Sequence, residues 1–149
     1  MRWFAAIVMM VASSAVHAED SLFIGVGGFF QGGWSVTSQG KVLQYCTMQP
    51  PDKKSACITL QPSEEAWASF WKEIGRIDPW RWNDHYFNLQ VTDGTQWEIV
   101  IARDGKMIEA KGSNAFPRDD GSSNESPEYS APFNALLKAV HTLAGREFP

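Results

Sequence analysis

The chain has 149 residues, which fits one domain, and with 44% hydrophobic and 20% charged residues it is not an intrinsically disordered protein. Its formal net charge of −4 argues against a nucleic-acid-binding protein, which normally carries a basic face. Two cysteines are too few for a structural zinc site built from thiolates alone, or for a disulfide-dense scaffold.

The first 18 residues have the pattern of a secretory signal peptide. Arg2 supplies a positive charge, residues 3–16 are apolar apart from two serines, and compact residues precede a cleavage point after Ala18. The apolar run is too short to span about 30 Å of hydrocarbon, and no stop-transfer pattern follows it. The sequence predicts bacterial export to the periplasm or the medium, no membrane anchor after cleavage, and a single α+β domain over residues 19–149.

Export would place both cysteines in an oxidising compartment, where we expect a disulfide between Cys46 and Cys57. Chain-entropy bookkeeping for the short, proline-containing loop that it closes gives about 3 kcal/mol of stabilisation. A redox pair usually has the C-x-x-C spacing, whereas ten residues separate these two cysteines. A redox or metal-binding role is therefore the weaker alternative.

Glycine is concentrated at the start of the predicted domain, between residues 25 and 33 and among phenylalanines. The run indicates either an irregular first strand or a loose arm. It lacks the G-x-G-x-x-G and G-K-[ST] contexts, so we do not expect it to bind phosphate. Strands are predicted next at residues 34–37, 41–46 and 57–60, with a turn at 38–40.

A first helix is predicted to begin after Ser63, which is a good N-cap residue. Two glutamates follow it in the first turn, where they face the positive end of the helix dipole. Gly75 is expected to cap the C-terminus. An apolar stripe with helical spacing favours core packing over a ligand platform, and it consists of Trp67, Phe70, Trp71 and Ile74.

A connector is predicted at residues 78–85, and a three-strand meander follows it. Asp-Gly pairs at 93–94 and 104–105 are strong hairpin signals. In the middle strand Trp97, Ile99 and Ile101 alternate with other residues and share one face. The three strands are predicted at residues 86–92, 95–102 and 106–111.

A structured turn is predicted at residues 112–117, because Gly112 and Asn114 both tolerate positive φ. A polar loop follows, and a last helix is predicted over residues 132–144 with Gly145 at its end. Strands followed by a helix, twice, predict an α+β fold in which an antiparallel sheet of hairpins carries two amphipathic helices on one face.

Two segments of the chain resemble one another. Each starts with a tryptophan, Trp34 or Trp97, continues with alternating β-forming residues, and ends in Gly-Lys and two apolar residues. Each is followed, after a loop, by a helix with the same apolar stripe. Either the domain consists of two β-β-β-α halves, or two hairpins with Gly-Lys turns are alike by chance, and the sequence leaves both interpretations open.

The region from about residue 60 to 145 also contains a combination of elements found elsewhere. They are Trp67, Phe70 and Trp71 on the first helix, Trp80-x-Trp82, Asp93-Gly94, the W-x-I-x-I strand from Trp97, Asp104-Gly105-Lys106, the GSNAFP turn at 112–117 and the final amphipathic helix. In combination they resemble a group of small exported bacterial proteins of unknown function. The resemblance implies no activity, so it carries over no catalytic residue.

The sequence contains no recognisable catalytic or metal-binding set. His85, beside Asp84, is the candidate general base or metal ligand, but no second histidine stands at ligand spacing. His141 is expected on the solvated side of the last helix. The acidic pair Asp119-Asp120 lacks the pattern of calcium loops. We therefore predict no cofactor and favour a non-enzymatic protein over an enzyme.

Two candidate binding surfaces remain. In the connector, aromatic residues surround an arginine, a combination enriched at interfaces and able to stack on sugar rings. The alternative is that Trp80 and Trp82 fill the seam between helix and sheet, since large aromatic residues dominate small cores. The turn beside the long polar loop is the second surface. The candidate residues are Trp80, Arg81, Trp82, His85 and Tyr86 in the connector, and Ser113, Asn114 and Phe116 in the turn.

These patterns predict an exported, non-enzymatic binding module whose partner is a protein of the cell envelope, in the manner of an inhibitor or immunity protein. The alternative is a binder of cell-envelope carbohydrate or another small ligand that uses Trp80 and Trp82. Nucleic acid is not an expected partner. The sequence does not predict an oligomeric state.

Overall fold

A computed structural model describes residues 19–28, 32–49 and 55–146. The predicted signal peptide lies outside the described residues, as does most of the loop between the two cysteines. Over the described ranges, no helix is both long enough and apolar enough to cross a membrane.

The elements alternate between groups of strands and single helices. In chain order they are β1 (Ser21–Gly28), β2 (Gly32–Gln39), β3 (Val42–Met48), β4 (Ala56–Leu60), α1 (Glu64–Ile77), a 3₁₀ turn (Pro79–Arg81), β5 (His85–Phe87), β6 (Thr95–Arg103), β7 (Lys106–Ser113), β8 (Phe116–Pro117), β9 (Ser123–Asn124) and α2 (Ala131–Ala144).

Seven strands form one sheet in the order β4-β3-β2-β1-β6-β7-β5, and β8 pairs with β9 in a separate ribbon. Every neighbouring pair in the large sheet is antiparallel except β5 and β7, which are parallel. The predicted α+β class is confirmed. In β1, β6 and β7 alternate residues are buried, and both helices contribute apolar residues to the same core.

The disulfide between Cys46 and Cys57 is present, and it joins directly opposed residues of β3 and β4. The two Cα atoms are 4.0 Å apart. β4 is an edge strand whose residues are exposed except for the half-buried Leu60. The covalent bond therefore holds a strand that buries little apolar surface of its own.

Helix α1 begins as predicted but ends later. The Ser63 hydroxyl accepts a hydrogen bond from the Ala66 N–H at 3.1 Å. Gly75 is not the C-cap: Asp78 occupies that position with a φ of 53°, and its N–H donates to the Ile74 carbonyl at 2.9 Å. Pro79 explains the end point, because the residue before a proline is disfavoured in the right-handed helical region.

The predicted meander is wrong in its first strand. β5 is short and pairs with β7, so the Asp93-Gly94 pair is not a β-hairpin turn. The chain leaves the sheet at Asn88, whose N–H donates to the Ser113 carbonyl at 2.9 Å. Asp104 and Gly105, with φ values of 50° and 76°, do form the predicted tight hairpin, and this places β7 beside β6.

Helix α2 has the predicted limits to within one residue at its start. The Ser130 hydroxyl accepts from the Phe133 N–H at 3.4 Å, and Gly145 ends the helix in the left-handed conformation. His141 is half-buried, with its ring centroid 5.9 Å from that of Trp34, so the prediction of a solvated position is wrong.

Candidate functional site

The aromatic residues of the connector belong mainly to the core. Trp82 is 5% exposed, Tyr86 is fully buried, and Trp80 is half-buried against the core, whereas Arg81 and His85 are exposed. This arrangement agrees with the interpretation that Trp82 fills a seam of the fold. It leaves Trp80 as the tryptophan of this pair that reaches the surface.

Tyr86 holds the connector to the loop before α2. Its hydroxyl accepts a hydrogen bond from the Asn83 N–H at 2.8 Å and donates to the Gly121 carbonyl at 2.7 Å. Burial raises the pKa of the phenol above its ordinary value. Tyr86 therefore positions the connector and does not contact solvent.

The predicted turn surface is also largely internal. Phe116 is 0% exposed, with its ring centroid 4.9 Å from those of Tyr129 and Phe133. The buried Asn114 side chain accepts from the Thr95 N–H at 2.9 Å and donates to the Asp93 carbonyl at 3.0 Å. Asn114 therefore fixes the loop before β6, and its polar atoms are already engaged.

His85 lies on the surface with its Nδ1 3.0 Å from the Asp84 carboxylate. The hydrogen bond from His85 lowers the pKa of Asp84. Among the described residues, no group of three or more His, Cys, Asp or Glu side chains is arranged to hold a metal ion. The pair is better described as part of a polar surface on β5.

The sheet face that does not pack into the core brings distant parts of the chain together. His85 is in register with Lys111, and Lys111 lies opposite Glu98 on the neighbouring strand. Glu98 in turn lies opposite Gly25. One row of paired positions thus crosses the sheet from edge to edge, and it consists of His85, Lys111, Glu98, Gly25, Ser35, Cys46 and Cys57.

A groove of about 750 Å³ lies on this open face. Its volume falls within the range of about 300–1,000 Å³ that is common for ligand sites. Phe87 is 47% exposed at one side, although a large apolar side chain is usually covered. The apolar walls are Phe23, Met48 and Phe87, the floor includes Gly25 and Gly27, and the polar margin includes Ser35, Gln96, Glu98 and Lys111.

Missing side chains give the groove its depth. The nearest neighbours of a Cβ added at Gly25 would be the Phe23 ring at 3.4 Å and the Ser35 Cβ at 3.8 Å, which are ordinary contacts. A Cβ at Gly33 would lie 2.4 Å from the Val26 carbonyl oxygen, where no side chain fits. Glycine therefore allows close strand approach at Gly33 and leaves open volume at Gly25.

The end of the groove near β5 is acidic. A recess of about 200 Å³ adjoins it and shares Glu98 and Lys111 with the groove. Asp84 and Glu109 also line this recess, so three carboxylates surround a single lysine and the exposed His85. The site combines an apolar, glycine-floored part with an end of net negative charge.

Of the predicted candidate residues, His85 lines this site, and Ser113 lies next to it, where its hydroxyl accepts a hydrogen bond from the Gln96 side chain at 2.7 Å. The sequence prediction missed the rest of the site. It interpreted the glycine run as an irregular first strand or a loose arm, and the one kind of binding site it weighed there, a phosphate loop, was rejected. The polar face of β6, with Gln96 and Glu98, was visible in the alternation that predicted the strand. That Glu98 on this face lies opposite Gly25 could be known only from the order of the strands in the sheet.

No protein-family model matches this chain, and no curated protein sequence matches it significantly. The resemblance to small exported bacterial proteins stays a prediction.

Proposed function

We propose that this chain is an exported, non-enzymatic binding module that takes up an extended segment of a protein partner in the open-face groove. The observation that carries the proposal is the groove itself, which joins a glycine-floored apolar part to an acidic end. These two features call for a partner segment that has a bulky apolar side chain flanked by Lys or Arg.

The apolar part supplies the binding energy in this proposal. A side chain that enters above Gly25 would contact the Phe23 ring, and neighbouring side chains of the partner segment would reach the exposed Met48 on one side and Phe87 on the other. Burial of one large apolar side chain contributes roughly 1.5–3 kcal/mol. Gly25 lies on β1, which is paired on both sides inside the sheet, so recognition at the glycine floor proceeds through side chains and not through strand addition.

The acidic end orients the partner segment and raises the rate of its association. Asp84, Glu98 and Glu109 are exposed, so each pair that they form with a basic partner residue contributes little affinity on its own. Together they attract a basic segment and align it along the groove. Binding should therefore weaken as the salt concentration rises.

Selection of random linear peptides displayed on phage tests the proposal. We expect peptides with an apolar residue next to Lys or Arg, and we expect them to lose at least about tenfold in affinity for Gly25→Leu, which fills the floor. Phe87→Ala, which removes one wall, should also weaken binding. Thr59→Leu adds the same side chain on the exposed edge strand β4 and is the matched control.

Three results would contradict the proposal: no enriched peptides, peptides that bind Gly25→Leu as tightly as the unmodified protein, or peptides without basic residues whose binding ignores salt. Thermal unfolding of each variant shows whether a loss of binding reflects a loss of fold.

Export is part of the same proposal. The disulfide between Cys46 and Cys57 supports it, because such bonds persist in oxidising compartments. Fractionation of expressing bacteria should recover a protein that begins at Glu19 in the periplasm or the medium. Recovery of the uncleaved chain from the cytoplasm would contradict the proposal of export but would leave the proposal of peptide binding in the groove unaffected.

That the β2–β3 and β6–β7 hairpins are two copies of one repeat remains a proposal. Trp34 and Trp97 are both buried opposite Val26, on either side of β1, which supports two related halves. The turns differ, because Gly40 is the first residue of its turn and Gly105 is the second. Two β-β-β-α halves would therefore have diverged in the register of the turn.

A further inference from the structure

Trp80 borders a second cavity, which shares no lining residue with the open-face groove. This cleft has a volume of about 430 Å³ and lies where the end of α1 meets the hairpin between β6 and β7. We call it the Trp71–Trp80 cleft, because both indoles line it. Its cationic residues are Lys72, Arg103 and Lys106.

Trp71 is held in place before any ligand arrives. Its ring is stacked on that of Trp67 at a centroid distance of 6.0 Å, and the Phe70 ring meets it edge-on at 4.8 Å. The Arg103 guanidinium carbon is 4.8 Å from the centroid of the Trp71 ring. Because Trp67 and Arg103 already pack against this ring, Trp71 gives the cleft a rigid indole wall that loses little conformational freedom on binding.

The charge available in the cleft is positive. Arg103 is ion-paired with Asp20 and lies 3.4 Å from the Asp104 carboxylate, so its own charge is already balanced. Lys72 and Lys106 form no ion pair with any residue in the described part of the chain. Two lysines are thus free to meet an anionic group.

Gly75 keeps the cleft open on the helix side. It lies inside α1, it lines the cleft, and a Cβ added there would meet no heavy atom within 4 Å. A longer side chain at this position would extend into the cavity without removing any contact residue.

We propose that the Trp71–Trp80 cleft binds an acidic sugar, with the ring against the indoles and the carboxylate met by Lys72 and Lys106. A sugar ring offers an apolar face to tryptophan, and its hydroxyls match the donors and acceptors of Arg103 and Asp104. Arg103 and Asp104 are already paired, but each keeps further donor or acceptor positions that sugar hydroxyls can use and that an aromatic acid would leave to water. The proposal stands independently of the groove.

Nuclear magnetic resonance of the purified ¹⁵N-labelled protein tests this assignment. The probes are trigalacturonic acid, glucuronic acid and N-acetylmuramic acid, with methyl-esterified trigalacturonate and maltotriose as neutral counterparts. We expect an acidic probe to shift the indole N–H signals of Trp71 and Trp80, while those of the buried Trp82 and Trp97 stay in place. The ester should bind at least about tenfold more weakly.

Variants distinguish binding in the cleft from nonspecific binding elsewhere on the protein surface. Gly75→Leu should abolish binding, whereas Gly75→Ala should retain it. Lys72→Gln with Lys106→Gln should weaken binding at least about tenfold, and Lys138→Gln, which removes an exposed charge from α2, should not.

The proposal is overturned if none of the three acidic probes shifts the Trp80 signal. It is also overturned if maltotriose or the ester binds as tightly as trigalacturonate, or if indole-3-acetate binds more tightly than every sugar. Peptide binding in the open-face groove is measured separately, so either site can fail alone.

Discussion

Gly112 and Gly25, which lie on opposite faces of the sheet, use the absence of a side chain in opposite ways. On the face that packs into the core, a Cβ at Gly112 would lie 2.3 Å from the Trp97 ring, so the protein's own indole occupies the space. On the open face, the nearest atom to a Cβ at Gly25 is 3.4 Å away, and that atom belongs to a groove wall. The comparison shows which glycine serves the fold and which one shapes a surface.

Gly112→Ala should have the largest effect on this comparison. The Trp97 ring cannot retreat easily, because its Nε1–H donates to the Ala115 carbonyl at 2.8 Å. We expect the free energy of unfolding to fall by about 3 kcal/mol, measured by urea denaturation. Gly25→Ala should change it by less than about 0.5 kcal/mol. Equal losses for the two variants would remove the distinction between the two glycines.

Removal of the disulfide should have the next largest effect. Cys46→Ser with Cys57→Ser is expected to cost about 2–3 kcal/mol, because little buried surface holds β4. Hydrogen exchange should show faster exchange in β4 while the amides of β1 and β6 remain protected. Uniform loss of protection over the whole sheet would show that the edge strand is coupled to the core more strongly than its exposure indicates.

Neighbouring residues of β5 provide a smaller contrast. Tyr86→Phe leaves the Gly121 carbonyl without its 2.7 Å hydrogen bond and should cost about 1–2 kcal/mol. Phe87→Ala, on the open face, should leave the free energy of unfolding nearly unchanged and weaken peptide binding. A larger loss of stability in Phe87→Ala would place that side chain in the core and weaken the case for the groove.

Gly75 is a third kind of glycine: a Cβ added there would have no heavy atom within 4 Å, and its φ is not positive. It lies inside α1, so Gly75→Ala should raise the free energy of unfolding by roughly 0.5–1 kcal/mol, visible as a higher melting temperature. Had Gly75 been the left-handed cap that its position suggests, the same change would destabilise the protein. The sign of the effect decides between the two.

Local signals predicted most elements of the fold. Ser63 and Gly145 mark helix ends, and Asp104-Gly105 makes a hairpin, because caps and tight turns depend on residues only a few positions apart. The same Asp-Gly signal failed at residues 93–94. There the strand before the pair, β5, is hydrogen-bonded to β7 and not to β6. The loop is held instead by the Asn114 side chain, which bonds to Thr95 and Asp93 although they are 19 and 21 residues away in the sequence.

The candidate sites were less accessible to sequence reasoning. The sequence left open whether Trp80 and Trp82 form a binding surface or fill the seam between helix and sheet. In the structure Trp82 is buried, and Trp80 lines a cleft together with Trp71, which α1 supplies. A pattern of residue types does not report burial in a connector, because no periodicity applies there.

By itself the sequence determined the α+β class, both helices, the disulfide and the alternation of β6. These follow from spacing, capping and cysteine count, which are local or compositional properties. The tertiary structure decided that β5 lies parallel to β7, that Glu98 faces Gly25, and that the open face holds a groove. Those outcomes depend on which strands pair although they are far apart in the sequence. The free energy of such pairing is set by packing and hydrogen bonds over the whole sheet, so no local segment determines it.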